Sequence, residues 1–276
     1  MSNSSDKHLD LWKVSKVYQG KAGPVEAVSD VSLSIREGEF VSILGPSGCG
    51  KSTLMMMMAG LEDITEGVII ERGREVTGPR PDVGLIFQDA TLLPWLSVLD
   101  NVLFPVRILK RPRADYLPRA LELLKMTGLS DFAHHRPAQL SGGMRQRASI
   151  CRALVLDPPL LMMDEPFSAL DAITRDEMNF ALLDIWQRHP KTGVFITHSI
   201  REAVLLSDRV LVMTRRPSTV VCDLTIPFPR PRRPEIVETP EFTAICAQLR
   251  SQIEAGYAAE QGNTLRAAAA TAATVE

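Results

Sequence analysis

The sequence predicts an α/β chain: a parallel β-sheet flanked by helices, with a helical lobe inserted into it. Three observations lead there. Short apolar runs recur at Phe40–Leu44, Leu160–Met163, Val194–Ile196 and Val210–Met213, with helical stretches such as Asp176–Arg188 between them. Strand and helix in alternation make a parallel sheet with helices on its faces. From about Ser97 to Arg152 the periodicity turns helical, which marks the inserted lobe. The first apolar run, finally, empties into a glycine-rich turn, Gly45-Pro46-Ser47-Gly48-Cys49-Gly50.

The elements follow in order. Leu9 to Tyr18 mixes apolar and polar positions and leads to a turn-prone stretch, Gln19 to Pro24. Val31, Leu33 and Ile35 alternate with Ser32 and Ser34, the pattern of a half-buried antiparallel strand. After the glycine-rich turn a helix should start near Lys51 and end near Gly60. Its Met55 to Met58 run reads as adaptable core packing. Val68–Ile70 and Val83–Phe87 are further strand candidates. In the helical lobe, Ala120, Leu121, Leu123 and Leu124 are expected on one apolar side. His134 and His135 read as a loop pair. Pro227 to Pro234 is rich in Pro and Arg and reads as extended. Thr239-Pro240 fits the cap and first position of a short helix to about Ala258. Residues 1–8 and the Ala-rich end are expected to lie outside the folded domain, which is placed at 9–225 with its helical lobe at about 90–157.

Composition narrows the function. The chain has 276 residues, 45% hydrophobic, and a formal net charge of -2. Nucleic-acid-binding domains usually run basic, so no nucleic-acid partner is expected. Four cysteines (Cys49, Cys151, Cys222, Cys246) lie far apart, without metal or redox spacing. Met1 to Lys7 has no apolar core and is not a signal peptide. No apolar run approaches the roughly 18–20 residues of a membrane span. The expectation is a cytoplasmic protein whose membrane role comes through a partner.

The chemistry sits in four short motifs. Gly45 to Ser52 fits the phosphate-binding pattern G-x-x-x-x-G-K-S, placed after a strand and before a helix. Glycines let the backbone N–H groups turn inward on phosphate oxygens, and the helix end adds its positive pole. Lys51 should reach the β- and γ-phosphates of a nucleotide and Ser52 should bind Mg²⁺, with Thr53 next in the helix. The apolar run Leu160–Met163 ends in Asp164-Glu165. Asp164 would support Mg²⁺, and Glu165 would take the proton of the attacking water. Ser141-Gly142-Gly143 precedes a helix and makes a second anion-binding terminus. Two such ends on one chain point to two chains facing head to tail. His198 follows the strand Val194 to Thr197.

Taken together, the glycine-rich loop, Gln88, Leu140 to Met144, Asp164-Glu165, Ser168-Ala169-Leu170-Asp171 and His198 resemble the ABC ATPases, in that family's order. The resemblance covers roughly Leu9 to Pro217. It implies an N-terminal antiparallel sheet beside the α/β core, and an antiparallel homodimer with two ATP molecules at its interface. It implies that Tyr18 stacks on adenine and that Gly45, Pro46, Ser47, Gly48, Cys49 and Gly50 hold the phosphates. It further implies that Gln88 lies near Mg²⁺ and the lytic water. Ser141, Gly142 and Gly143 would contact the γ-phosphate of the partner's ATP, Asp171 would end the loop along the dimer interface, and His198 would hydrogen-bond the γ-phosphate. Met144 departs from the commoner Gln at its position, which puts any side-chain role there in doubt.

Kinases and GTPases lack the Leu140 to Met144 element. Repair-type ABC proteins need a long coiled coil between the glycine-rich phosphate loop (Gly45 to Ser52) and Ser141, and no sustained heptads appear. The ribosomal type resembles two cassettes on one chain, and exporter cassettes are often fused to membrane helices. What remains is a stand-alone importer cassette at the cytoplasmic face of the membrane, paired with a permease and, indirectly, an extracytoplasmic binding protein. The stretches Gln88 to Val102 and Thr197 to Val210 are similar to the nitrate, sulfonate and taurine importer group. That resemblance implies import of a small anionic nutrient. An importer of pyrimidine-like compounds and a soluble ABC ATPase outside transport stay open. The apolar residues around Pro94, Trp95 among them, either pack inside the lobe or receive a helix of the permease.

Overall fold

The computed structural model describes residues 7–21, 23–168, 170–188 and 190–255. Its strands are β1 (Lys7–Gly20), β2 (Gly23–Arg36), β3 (Phe40–Leu44), β4 (Glu66–Glu71), β5 (Arg74–Glu75), β6 (Val83–Ile86), β7 (Leu160–Asp164), β8 (Thr192–Thr197), β9 (Arg209–Met213) and β10 (Val220–Thr225). Its helices are α1 (Lys51–Met58), α2 (Val98–Val102), α3 (Phe104–Ile108), α4 (Arg113–Met126), α5 (Gly142–Leu154), α6 (Ala172–Arg188), α7 (Ile200–Leu206) and α8 (240–255). The chain is mixed α/β. It divides into two compact units. One takes the chain to Glu37, Val41–Pro79 and everything from Ile196 on; the other takes Gly38–Phe40 and Arg80–Phe195.

In the first unit an antiparallel sheet runs in the order β2-β1-β4-β5. Val31, Leu33 and Ile35 are buried while Ser32 is exposed, so the alternation in β2 does set its core face. β1 begins at Lys7, within the stretch the sequence leaves outside the folded domain. His8 is fully buried there, its Nε2 3.1 Å from Oε1 of Glu71 on β4. A polar pair reads as surface in a sequence, and only the register hides it. β3 pairs in parallel with β9, and β9 pairs antiparallel with β10. All five β3 residues are buried, which accounts for the apolar run; Ser42 within it is paired with the Ser207 hydroxyl. Met55, Met57 and Met58 of α1 are buried, as core packing requires.

The Pro/Arg-rich segment is a fastener for α7. Arg232 has a fully buried side chain that donates to the carbonyls of Val204 (3.0 Å), Leu205 (2.8 Å) and Phe228. Arg230 donates to Leu206 O (2.6 Å) and to Asp208 (2.8 Å). The last carbonyls of a helix have no partner within it, and two guanidiniums supply them here. Burial pushes the Arg232 guanidinium down to about 10, with Arg230 adding to the effect, and it stays charged at neutral pH. Next along the chain, Thr239 Oγ1 accepts from Phe242 N (3.2 Å) and so caps α8 where the sequence expects a cap. The expected end of that helix, near Ala258, lies outside the described residues, as does the Ala-rich end.

In the second unit strands run in the order β8-β7-β6, with β6 and β7 parallel. Phe40, Trp186 and Phe195 form an aromatic cluster, with Phe40 and Trp186 edge to face at 4.6 Å. A Cβ on Gly193 would fall 2.6 Å from the Trp186 ring, so the strand passes that ring only as glycine. The helical stretch is made up of several helices, α2 to α5. In α4 Ala120, Leu123 and Leu124 are buried, but Leu121 is 46% exposed. Grouping it with the apolar side is corrected: 120, 123 and 124 follow the i, i+3, i+4 spacing, and 121 is turned about 100° away.

Removing the Arg232 side chain leaves buried carbonyls without donors. Arg232→Ala should therefore lower stability by about 2–3 kcal/mol. Arg233→Ala, at an exposed neighbour, should stay within about 0.5 kcal/mol. Urea denaturation of both variants checks this, and equal midpoints would refute the fastening role.

Candidate functional site

Each unit carries part of the predicted machinery. In the first, the chain leaves β3 at Gly45, where a Cβ would sit 2.9 Å from Met213 O. Gly48 and Gly50 have φ of 73° and 122°, and a Cβ on Gly50 would meet Ala27 O at 2.8 Å. The loop thus needs glycine for conformation at two positions and for space at two. Pro46 is half-buried, and Ser47 and Gly48 are exposed. α1 begins at Lys51 with Gly50 before it and no side-chain cap. Its first N–H groups are therefore available to an anion, with the positive end of the helix behind them.

Lys51 is 4% exposed, and its Nζ donates to Gly45 O (2.9 Å) and Pro46 O (2.8 Å). The loop's own carbonyls hold the ammonium inside the loop. Ser52 is exposed and Thr53 half-buried in the first turn of α1. Cys49 is 2% exposed, and burial, opposed by the Lys51 charge, pushes its thiol up. It behaves as a small filler rather than a reactive thiolate.

Tyr18 lies near the end of β1, 39% exposed, with Lys16 Nζ 4.9 Å from its ring centroid. His198 is exposed at the end of β8. The turn that carries it is tied on both sides. Thr197 Oγ1 donates to Glu202 Oε2 (2.5 Å) and accepts from Ser199 N (3.0 Å), while Ser199 Oγ accepts from Glu202 N (3.3 Å) as the cap of α7.

In the second unit Gln88 is exposed just beyond β6. Gln146 of α5 is 4% exposed and donates to Phe87 O (3.1 Å), which fixes the backbone next to Gln88. Ser141 caps α5, its Oγ accepting from Met144 N (3.3 Å). Gly142 is exposed and Gly143 half-buried at the open end of this 13-residue helix. Met144 contributes its N–H to the cap, so its departure from Gln leaves the turn intact.

Asp164 ends β7, and Asp164 and Glu165 are both half-buried. Glu165 has φ 43°, in the left-handed region. Ser168 holds it there, its Oγ (2.9 Å) and N (3.1 Å) both donating to Glu165 O. Arg175 braces the following loop through the Phe167 and Leu170 carbonyls. Asp171 Oδ1 accepts from Thr174 N (3.0 Å), and that bond holds its carboxyl below the usual range. Ala169 lies outside the described residues.

Sequence reasoning missed Gln146 and Asn101. Asn101 is fully buried in α2 and donates to the carbonyls of Leu93, Leu96 and Ser97, while its Oδ1 accepts from Leu93 N (2.7 Å). A lone amide inside an apolar helical run was the available signal. The loop it holds presents Trp95, 67% exposed, so Trp95 does not pack inside the lobe. Leu92, Leu93 and Leu96 are half-buried. In the same unit a groove of about 370 Å³ is lined by Pro81, Leu85, Phe104, Ile108, Leu109 and Leu156 among others, with Ile108 60% exposed.

Comparison with known proteins bears on all of this. The ABC transporter family model matches residues 28–168. The bicarbonate transport ATP-binding protein CmpD of Synechocystis sp. is 44% identical over 238 residues, 85% of this chain and 84% of the relative. The taurine import ATP-binding protein TauB of Burkholderia pseudomallei is 42% identical over 247 residues, 87% of this chain and 95% of the relative. Among solved structures, a dimeric post-hydrolysis state of the ATP-binding cassette MJ0796 bound to ADP and Pi is similar with a TM-score of 0.71. It is 35% identical and covers 80% of this chain and 99% of that one.

The left-handed backbone at Glu165 yields a prediction. A non-glycine residue there stores about 1 kcal/mol or more of strain. Glu165→Gly and Glu165→Ala both delete the carboxylate, but the glycine variant should be more stable by about 1 kcal/mol. Thermal or urea unfolding of the pair decides; an alanine variant as stable as the glycine one would rule out strain at this position.

Proposed function

The chain belongs to the ABC transporter family and is an ATPase of that family, and from this premise we propose that it energises import of a small anionic nutrient through a separate membrane permease. The observation that carries the cargo class is the 42–44% identity to proteins named for bicarbonate and taurine, over 84–95% of their lengths. The cassette does not meet the cargo, so bicarbonate, nitrate and sulfonate types share one mechanism.

In that mechanism the N–H groups of Gly48 to Lys51 and the start of α1 hold the phosphates, and the Lys51 ammonium moves from the loop carbonyls to the β- and γ-phosphates. Tyr18 gives adenine a half-exposed aromatic face. Glu165 accepts the proton of the attacking water, Gln88 orients that water, and His198 donates to the γ-phosphate. The hydroxyl of Ser52 and the carboxylate of Asp164 are hard oxygen donors of the kind Mg²⁺ takes. No cluster of three or more His, Cys, Asp or Glu among the described residues could hold a metal alone. Mg²⁺ asks for none, since one or two side chains and the nucleotide phosphates complete its shell. Bound there, it would neutralise charge developing on the phosphates.

The open end of α5 at Ser141, Gly142 and Gly143 serves the ATP of a second copy. Two ATP molecules then join a head-to-tail homodimer, a reading supported by the dimeric state of the similar solved cassette. Among the described residues no helix is long and apolar enough to cross a membrane. The subunit is placed at the cytoplasmic face, where a permease helix docks on Trp95 and the apolar groove, and a binding protein delivers solute from outside. A soluble ABC ATPase outside transport is the weaker reading, because the import proteins match over nearly their whole lengths.

Two outcomes test this. Glu165→Gln should cut ATP hydrolysis by about 10²- to 10⁴-fold, the usual worth of a general base, while ATP binding survives and ATP-bound dimers accumulate. Near-normal turnover would remove Glu165 from the role. In vesicles containing the permease, anion-loaded binding proteins should stimulate the ATPase, and Trp95→Ala should abolish stimulation while sparing basal hydrolysis. Stimulation by sugar- or peptide-loaded proteins alone would overturn the cargo class.

A further inference from the structure

Outside the nucleotide machinery, Arg201 of α7 and one face of α8 line an open cleft of about 340 Å³ in the first unit. Arg201 enters it from α7; Thr243, Cys246, Arg250, Ser251 and Glu254 enter it from α8. Positions 243, 246, 250 and 254 recur at helical spacing, so one face of α8 supplies them. The Arg201 guanidinium lies over the Phe242 ring, 5.6 Å from its centroid. That ring is 1% exposed and is stacked on Phe228, so the guanidinium rests on a fixed surface.

Two cations thus line one cleft, and among the described residues neither Arg201 nor Arg250 forms an ion pair. Even Glu254, one turn beyond Arg250 and well placed to neutralise it, does not close the contact. Burial pushes the Cys246 thiol up, opposed by the charges of Arg201 and Arg250. The hydroxyl of Ser251 adds a donor, while that of Thr243 donates to Thr239 O (3.3 Å). Two guanidiniums beside a hydroxyl in a small concavity have the chemistry of an oxyanion receptor, since the planar fork matches two oxygens at once.

We propose that the cleft between α7 and α8 is a binding site for a small oxyanion of the sulfate class, held between Arg201 and Arg250. It is separate from the nucleotide loop, and nothing in the cargo assignment is needed for it. Its position gives it a hold on α7, because Arg201 lies two residues from Ser199, the cap of that helix and the neighbour of His198.

The probe is inorganic sulfate, titrated into the full chain with its nucleotide site saturated by ADP, against chloride at equal ionic strength. Calorimetry should show one saturable site. Arg201→Gln and Arg250→Gln should each weaken it by about 10- to 100-fold, the worth of one charge-assisted pair. Glu254→Gln should tighten it, because the carboxylate repels the same anion. Arg74→Gln, an exposed charge on β5, should leave it unchanged, and ADP affinity should be equal in all variants as a check on folding. Absence of saturable sulfate binding, or binding that survives both arginine variants, would overturn the proposal. Weakening rather than tightening by Glu254→Gln would do the same.

Discussion

Phosphates can be held by backbone N–H groups only if the backbone comes within hydrogen-bond reach of them, and this close approach is the constraint on which the first unit is organised. Side chains would be in the way at Gly45 and Gly50, where a Cβ would collide with the Met213 and Ala27 carbonyls. Gly48 and Gly50 need a backbone that other residues adopt at a cost. The walls responsible come from β9 and from the first sheet, so the loop is moulded by strands distant in sequence. β3 must be rigid for the same reason, and its burial on both faces with a parallel partner at β9 makes it so. α1 has the opposite task. It must leave its first turn open while staying anchored, and Leu54, Met55, Met57 and Met58 in the core provide the anchor that a cap would otherwise give.

The second helix end solves the same problem differently. At α5 the serine spends its hydroxyl on the Met144 N–H, and the two glycines after it leave the terminus bare. The cap sets the direction of the first turn and the glycines leave room for a ligand. This also explains why Met144 is tolerated, since the position is used through its N–H. A helix end so exposed, on a chain that already has a phosphate loop, makes sense if the ligand arrives on another copy.

What the sequence reveals and conceals follows from how local each device is. The phosphate loop, Asp164-Glu165 and Ser141 to Gly143 are contiguous, and a few neighbouring residues suffice to recognise them. The alternation in β2 and the i, i+3, i+4 spacing of Ala120, Leu123 and Leu124 are equally local, and Leu121 was misplaced only by grouping neighbours without regard to the turn. Long-range devices left no such trace. The burial of His8 depends on Glu71, 63 residues away. Gln146 acts on a carbonyl 59 residues back. Arg230 and Arg232 stand in a stretch whose prolines suggest a bare extended linker, yet their partners are carbonyls of α7, 24 to 28 residues earlier. The two-residue β5 is too short for periodicity to register.

The Trp95 loop shows how such a concealed device can matter to function. An exposed indole adds little to the stability of the unit and offers a large apolar face to a partner. Beneath it Asn101 makes four hydrogen bonds to a backbone that has no regular structure of its own. A buried amide with that many partners holds one loop conformation and penalises others, since any alternative leaves polar atoms unpaired in the interior. A loop ordered in advance loses little entropy when a partner helix settles on it, and the exposed ring then contributes its full area to the contact. The same loop begins at Thr91, whose carbonyl and hydroxyl accept from Arg152 near the end of α5. One helix therefore carries at its start the glycines proposed to face a phosphate and steadies the proposed docking loop near its end. A displacement of α5 along its axis would move both together, which is a physical route by which ATP-driven closure could reach a permease.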